Sequence, residues 1–372
     1  MDTPTDFSAW AAPFAGAAWR NVVRRRVALP HLGRDVLLHA GPPFDGPPPA
    51  PVRQAAVQAV LFEGLADDVA GAQALLATGA VRLLPAQDHG VATPLAQVVS
   101  AAMPLAEVGD GATQAWAPLV EGPPPALRFG TSDPAALPRL QAITELGLQR
   151  LAPLLQARPL VLAPVIAQAL AEGDECHGRT GAANAALLAR LDGLADDDRA
   201  LLAGSPGFVL TILMAAAAWR LRHGGGRIAA VGGNGLRFGL RLRGDAGWRA
   251  IDATPPTGTR FPQHAGATAL GAIGDSAVLD FCGLGGQALP AAPALCDEWQ
   301  ASLPTDLAQR RALVSDTVSG LVDPTRVAAS GLPPLVNLAV LDASGEAGLI
   351  GRGWYAPDPA LFFPSASERP TP

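Results

Sequence analysis

Asp174, Glu175, Cys176, His177 and Arg179 fall within six residues of one another, in the stretch "GDECHGRTGAANAALLARL". Only 16% of the chain is charged, so this concentration is informative. Carboxylates, an imidazole and a guanidinium this close shift one another's pKa values and can supply an acid or a base. Gly173 reads as the stop of one helix and Thr180 as the cap of the next. The turn between them therefore faces free N–H groups and a positive dipole end, which favour an anion or a developing negative charge. A capped, salt-bridged helix–loop–helix joint would use the same residues, and that alternative stays open. Cys176 could serve as a nucleophile, but a small buried core residue is the reading we favour. Asp174, Glu175 and His177 are metal-competent. No HExxH or paired-histidine spacing accompanies them, so neither a metal nor another cofactor is expected.

Three further stretches are expected to converge on the same cleft. "LLHAGPP" places His39 at a strand end before Gly41, "PAQDHGVATP" carries Asp88 and His89 in a loop, and "AIGDSAVLDF" sets Asp275 and Ser276 at a helix start. Asn234, in "GGNG", is a candidate contact for a carbonyl or carboxylate. Each has a plainer role: a satisfied structural histidine, a helix cap, or a hairpin turn for Asn234. The glycine-rich "GLGGQA" lacks the preceding strand and following acid of a dinucleotide site, and no P-loop or GxSxG elbow is present.

The elements that must hold these residues follow from pattern. Asp35 to His39 reads as a strand. "VRQAAVQAVLFEGLADDVAGAQALLATG" has helical spacing, with Asp67 as a cap and Gly79 as a stop. "AWRNVVRRRVALP" looks helical, and "AVRLLP" reads as a strand. Asp133-Pro134 opens a helix, as does Ser205-Pro206 ahead of the apolar run "FVLTILMAAAAW". Beyond Gly226 the period becomes strand-like, with a hairpin centred on Asn234-Gly235. Helices are expected over 274–300 and 304–321, and a strand over "PLVNLAVLD". The fold class is α+β. An N-terminal mixed α/β region covers 1–130, a mainly helical region with the polar turn covers 131–226, and a C-terminal α+β region with the hairpin covers 227–372.

Composition narrows the function. At 372 residues and 49% hydrophobic the chain can bury a substantial core. Its net charge of −6 and the lack of a basic stripe argue against nucleic acid. There is no lysine: all 27 basic residues are arginine. Schiff-base chemistry and a Walker lysine are excluded within this chain, and anions must be met by arginine or backbone N–H groups. Three cysteines make no disulfide framework. The start "MDTPTDFSAW" has no secretory pattern, and the longest apolar run falls short of the ~20 residues that span a bilayer. A cytoplasmic protein without membrane contact is expected.

The blocks "LLHAGPP", "FEG", "PAQDHGVATPLAQVVSAAMPL", "GDECHGRTGAANAALL", "GNGLRFGLRL", "IGDSAVLDFCGLGGQALPAAPAL" and "SGLPPLVNLAV…GLIGRG" resemble, in the same order, the YlbE-like family, over about residues 36–354. The resemblance implies a subunit of oxamate carbamoyltransferase, which converts oxalurate and phosphate to oxamate and carbamoyl phosphate in anaerobic allantoin breakdown, a part of purine catabolism. It also implies FdrA-like and YlbF-like partner subunits and a homo-oligomer. On this reading Arg179 meets phosphate or carboxylate, His177 or Glu175 moves the proton, and Asp174 belongs to the same turn. Asn234 contacts the substrate, while His39, Gly41, His89, Asp275 and Ser276 line or orient the site. The chain departs from the family in having about 35 residues before "LLHAGPP", where relatives have a longer region, and Gly178 where Asn is usual. The "STRT" signature of the aspartate and ornithine enzymes is absent. A catalytically silent structural subunit and a metal-dependent amidohydrolase are the competing readings.

Overall fold

The computed structural model describes residues 7–363; the leader expectation for the first residues falls mainly on 1–6, outside that range. Near the N-terminus the expected helix is replaced by strand β1 (Ala18–Arg24) and a single helical turn at Arg25–Ala28. The reason is tertiary. β1 buries Trp19 and Val22 and pairs antiparallel on both sides, so its β-branched Val22-Val23 pair serves a pleated surface better than a helix. Strand β2 (Val36–His39) and strand β3 (Arg82–Pro85) form a parallel pair. They are linked by helices α1 (Ala50–Phe62) and α2 (Val69–Ala77). Asp68, one residue past the expected cap, accepts the Gly71 N–H at 2.7 Å. Gly79 follows α2 with φ +73°, the left-handed stop its position called for.

A hairpin of β4 (Pro104–Gly109) and β5 (Gln114–Pro118) joins β1 and the short β6 (Leu160–Val161) in a four-stranded sheet ordered β5-β4-β1-β6. The middle of the chain is helical, as expected: α3 (Ala136–Leu146), α4 (Ala163–Ala171), α5 (Gly181–Leu188), α6 (Asp196–Ala203) and α7 (Phe208–His223). Helix α7 packs on β4, β5 and β7, and Phe208, Ile212, Leu213, Met214 and the Ala215–Ala218 run are all buried. A helix apolar on all faces belongs in a core. Each large side chain so buried contributes about 1.5–3 kcal/mol.

The second four-stranded sheet is β7 (Ile228–Asn234), β8 (Arg237–Leu242), β9 (Arg249–Asp252) and, beyond β10 (Thr257–Arg260), the two-residue β11 (Ile273–Gly274), in the order β11-β7-β8-β9. The β7–β8 turn sits one residue later than expected. Asn234 precedes it, accepting the Leu236 and Arg237 N–H groups at 3.0 and 2.7 Å, and only Gly235 takes a positive φ, of +89°. Strand β10 pairs with β13 (Leu349–Tyr355), which pairs with β12 (Val336–Leu341). The long helices expected over 274–300 and 304–321 are broken into Ala277–Phe281, a 3₁₀ stretch at Gly285–Ala291, Pro293–Trp299 and Leu307–Val314. Gly283 and Gly285 at positive φ, then Pro290 and Pro293, interrupt them.

The architecture is α+β with small sheets set around buried helices. One apolar cluster runs from Ala11 to Phe362 through all three sequence regions, and a smaller one gathers Leu289, Leu295, Trp299 and Leu335. Among the described residues no single helix is long and apolar enough to cross a membrane.

Candidate functional site

The polar turn is almost wholly buried. Asp174, Glu175 and Cys176 are 2%, 0% and 0% exposed, and His177 is 8% exposed. Asp174 accepts the Ala182 and Ala183 N–H groups at 2.8 and 3.2 Å, and that of Cys176 at 2.9 Å. It is therefore Asp174 that caps α5. Thr180, the expected cap, turns away to donate its hydroxyl to the Pro206 carbonyl at 2.8 Å. Burial pushes the Asp174 carboxyl up to about 6, opposed by these backbone donors. Cys176 sits at φ +70° with no exposure, and burial, then the two neighbouring carboxylates, raise its thiol well above the usual range. A thiol kept protonated is a packing residue and no nucleophile.

Glu175 also points inward. Its carboxylate accepts the Gly178 N–H, the Arg179 N–H at 3.0 Å and the Asn337 amide at 2.8 Å. Burial raises its pKa. The Arg179 side chain is exposed. A Cβ at Gly178 would lie 3.1 Å from Glu175 Oε1 and 3.2 Å from Leu295 Cδ1, so this chain's glycine makes room for the inward turn of Glu175.

His177 is the member of the turn set up for chemistry. Its Nδ1 lies 2.9 Å from Asp280 Oδ2, and the ring lines a cavity of about 320 Å³. Asp280 also accepts the Gly286 N–H at 2.6 Å and the Asn337 N–H at 3.0 Å. Nδ1–H thus donates to the carboxylate, leaving Nε2 without a hydrogen bond among the described residues. Burial lowers the imidazole's proton affinity, but the Asp280 charge and hydrogen bond outweigh it, and the net shift is upward. A Cβ at Gly285 would fall 2.2 Å from Asp280 Oδ1, which shows what "GLGGQA" is for: it lets the backbone close over this carboxylate.

A second knot lies at the other end of the Ala277–Phe281 turn. Asp275, fully buried, accepts from Gly41 N–H (2.8 Å), the Gln87 amide (2.6 Å) and both the N–H and hydroxyl of Thr93 (2.8 and 3.1 Å). Burial pushes it up to about 7 despite these four donors. Gly41, at φ +74°, approaches so closely that a Cβ would lie 2.4 Å from the Gly233 carbonyl carbon. Asn234 donates its amide to the Pro42 carbonyl at 2.9 Å. Asp275, Gly41 and Asn234 do converge, as a tie between loops.

The cavity opens between the two knots. Pro94 and Leu95, which follow Thr93, and Ser276, which follows Asp275, line it together with His177 and Gly178. Leu95 is held at φ +48°, one of two non-glycine residues in the left-handed region among those described, and Cys176 is the other. The strained Leu95 is on the cavity lining, and the strained Cys176 immediately precedes His177 behind it. Arg128, Thr211 and Arg352 add polar groups. Arg352 is paired with Glu298 at 2.9 Å.

The remaining expected residues lie elsewhere. His39 is buried with Nδ1–H on the Ala40 carbonyl at 2.8 Å and its ring 4.3 Å from that of Phe44. Burial depresses its pKa to about 4, and the ring is outside the cavity lining. His89 is half-buried beside His31, and burial lowers its pKa. Its neighbour Asp88 pairs with Arg241 at 2.7 Å and Trp248 at 2.9 Å. The sequence reading missed Asp280, Asn337 and Arg128. Each is a lone polar residue inside an apolar run, "VLDFC", "LVNLAV" and "ALRFG", and burial of such a group demands a partner. Among the described residues no group of three or more His, Cys, Asp or Glu side chains is placed to hold a metal ion, so the amidohydrolase reading gains no support.

Comparison with known proteins points one way. A family model described as "Oxamate carbamoyltransferase subunit AllG" matches residues 81–276. The chain is 29% identical to the oxamate carbamoyltransferase subunit AllG of Escherichia coli K12, over 88% of this chain and 87% of that one. It is 28% identical to the uncharacterised E. coli K12 protein YahG, over 90% of this chain and 78% of that one. A crystal structure of a conserved protein of unknown function from Enterococcus faecalis V583 superposes with a TM-score of 0.81 at 24% identity, covering 95% and 94% of the two chains. That likeness shows the fold. The family name these comparisons carry is AllG in place of YlbE-like.

Proposed function

This chain belongs to the oxamate carbamoyltransferase subunit AllG family, and we propose that it is a reacting subunit of a phosphate-dependent carbamoyltransferase acting on oxalurate or a related ureido carboxylate. The supporting observation is the His177–Asp280 pair, with Nδ1 fixed at 2.9 Å and the ring at the cavity wall. An imidazole oriented by a carboxylate is a proton donor and acceptor of defined tautomer.

In the proposed reaction a phosphate oxygen forms a bond to the carbamoyl carbon, and the bond from that carbon to the oxamate nitrogen breaks. The departing nitrogen takes a proton from His177 Nε2, and the proton of hydrogen phosphate restores the imidazolium. The raised pKa of His177 suits it to start as the acid. Asp280 keeps the tautomer and steadies the cation. Glu175 holds the turn through Asn337 and the two backbone N–H groups. Arg179, exposed on the turn that contributes Gly178 to the cavity, meets phosphate from the solvent side. Asp275 fixes the loop that carries Pro94 and Leu95.

FdrA-like and YlbF-like subunits, self-association and a cytoplasmic setting belong to the same proposal. The matched family is described as a subunit, which also supports a second reading in which this chain completes a site on a partner. The test is phosphate-dependent oxalurate cleavage by the purified chain, alone and with its partner subunits, in wild type and His177→Gln. Loss of turnover in an assembled His177→Gln complex supports the reacting subunit. Undiminished turnover there assigns the chemistry to a partner.

A further inference from the structure

Arg128 is nine-tenths buried and lines the cavity. Its Nη2 donates to the Gly122 carbonyl, and its guanidinium carbon lies 4.4 Å above the Phe129 ring. Its Nη1 has no acceptor. Glu121 stands behind it, with Oε1 accepting the Leu127 N–H at 2.6 Å and Oε2, also without a donor, 3.9 Å from Arg128 Nη1. The pair thus attracts across a gap too long for a hydrogen bond. A buried charged donor held without a full partner is costly; Nη1 itself is sealed against Glu121, so a ligand reaches the guanidinium through the part of the Arg128 side chain that lines the cavity.

The other cations at the wall are also backed by acids: His177 by Asp280 and Arg352 by Glu298. The fixed charges are close to balanced. The rest of the lining is largely apolar, including Pro94, Leu95, Phe129, Leu210 and Leu338. One carboxylate can be accommodated by Arg128. A second negative charge would enter an apolar space with no cation left to meet it.

We propose that Arg128 is the carboxylate anchor of this cavity, and that the cavity selects a small monoanionic amide acid of the oxamate type over the phosphate dianion. The hydroxyls of Thr211 and Ser276, on the same lining, serve the amide end. This rests on the cavity being the ligand site of the reading above. It adds that phosphate approaches from outside the cavity.

Calorimetric titration of the purified chain with oxamate, neutral oxamide and inorganic phosphate tests it, with binding separated from turnover. Oxamate binds, and oxamide and phosphate bind at least about tenfold more weakly, the scale of one charge-assisted hydrogen bond. Arg128→Gln weakens oxamate by the same factor while the thermal melt shows a folded chain, and Arg128→Lys restores part of it. Glu121→Gln keeps the acceptor for Leu127 and removes the opposing charge, so phosphate binds more tightly than to wild type. Phosphate matching oxamate in wild type, no oxamate binding, or oxamate binding unaltered in Arg128→Gln overturns the proposal. If Arg128→Gln does not fold, an unchanged phosphate affinity in Glu121→Gln overturns it instead. Oxamate binding that depends on Arg128 in a chain whose His177→Gln complex still turns over would sink the catalytic reading and leave this one standing.

Discussion

Asp280→Asn changes one oxygen to nitrogen and isolates the electrostatic role of the carboxylate. The variant's Oδ1 still accepts the Gly286 and Asn337 N–H groups, which lie 2.6 and 3.0 Å from the wild-type Oδ1. The fold therefore holds, at a cost of about 1 kcal/mol for the altered third bond. That third bond is the one to His177 Nδ1, at 2.9 Å. With an amide N–H facing it, Nδ1 must become the acceptor, so the neutral ring carries its hydrogen on Nε2. The larger of the two charges that raise the His177 pKa is gone, while the Glu175 charge and the burial that lowers it stay. Removing an adjacent opposite charge moves a pKa by about 1–3 units, or about 1.4–4 kcal/mol of lost preference for the imidazolium. The His177 midpoint therefore falls from its raised position in wild type. Nitrogen-15 NMR across pH 5–9, with His177→Gln to identify the signal, reads both the midpoint and the tautomer. An unchanged midpoint, or Nδ1–H persisting in the neutral ring, would refute the argument that Asp280 governs this histidine.

Other outcomes follow from the same geometry. Asp174→Ala removes the acceptor of the first α5 N–H groups and lowers stability by about 1–2 kcal/mol in chemical denaturation; Thr180→Val, which loses only the bond to Pro206, costs less. Gly285→Ala combines φ +50° with a Cβ 2.2 Å from Asp280 Oδ1, so it destabilises by about 2 kcal/mol or more and lowers the His177 pKa with it. His39, depressed from 6.5 to about 4, stabilises the fold fully above pH 6.5, and this contribution is lost as pH falls toward 4. The advantage of wild type over His39→Gln in urea unfolding should therefore shrink by up to about 3 kcal/mol between pH 7 and pH 4. A constant difference would show that His39 is not buried as the neutral ring.

The sequence conveyed local facts well and long-range ones poorly. Gly79 and Gly173 end their helices because positive φ is a property of the glycine itself. Asp133, the expected cap of α3, instead accepts the Ala135 N–H in the turn that precedes the helix, whose cap position falls to Ala135. The apolar run of α7 was recognisable as core from its composition. β1 was not, since its strand form depends on β4 and β6, which lie far away in the chain. The same holds for the site. His177 stood out in a dense polar turn, but its partner is 103 residues away and looks like one acid in an apolar helix. Asp275 was picked out for the right loops, but its carboxylate is spent on Gly41, Gln87 and Thr93, so it braces the cavity from behind. Arg128 gave no sign beyond its apolar flanks, because an unsatisfied guanidinium is visible only when all its neighbours are in place.

The two knotted carboxylates, Asp275 and Asp280, are five positions apart, little more than one turn of helix, with Asp280 inside the Ala277–Phe281 turn. The Leu95 loop and the His177 turn are accordingly tied by hydrogen bonds to two acids on one short buried segment, which couples the positions of the two. Relatives of this chain that handle a different compound would do so by changing the side chains hung on the walls, such as Thr211 or Leu338, while this strut and its two acids keep the same span.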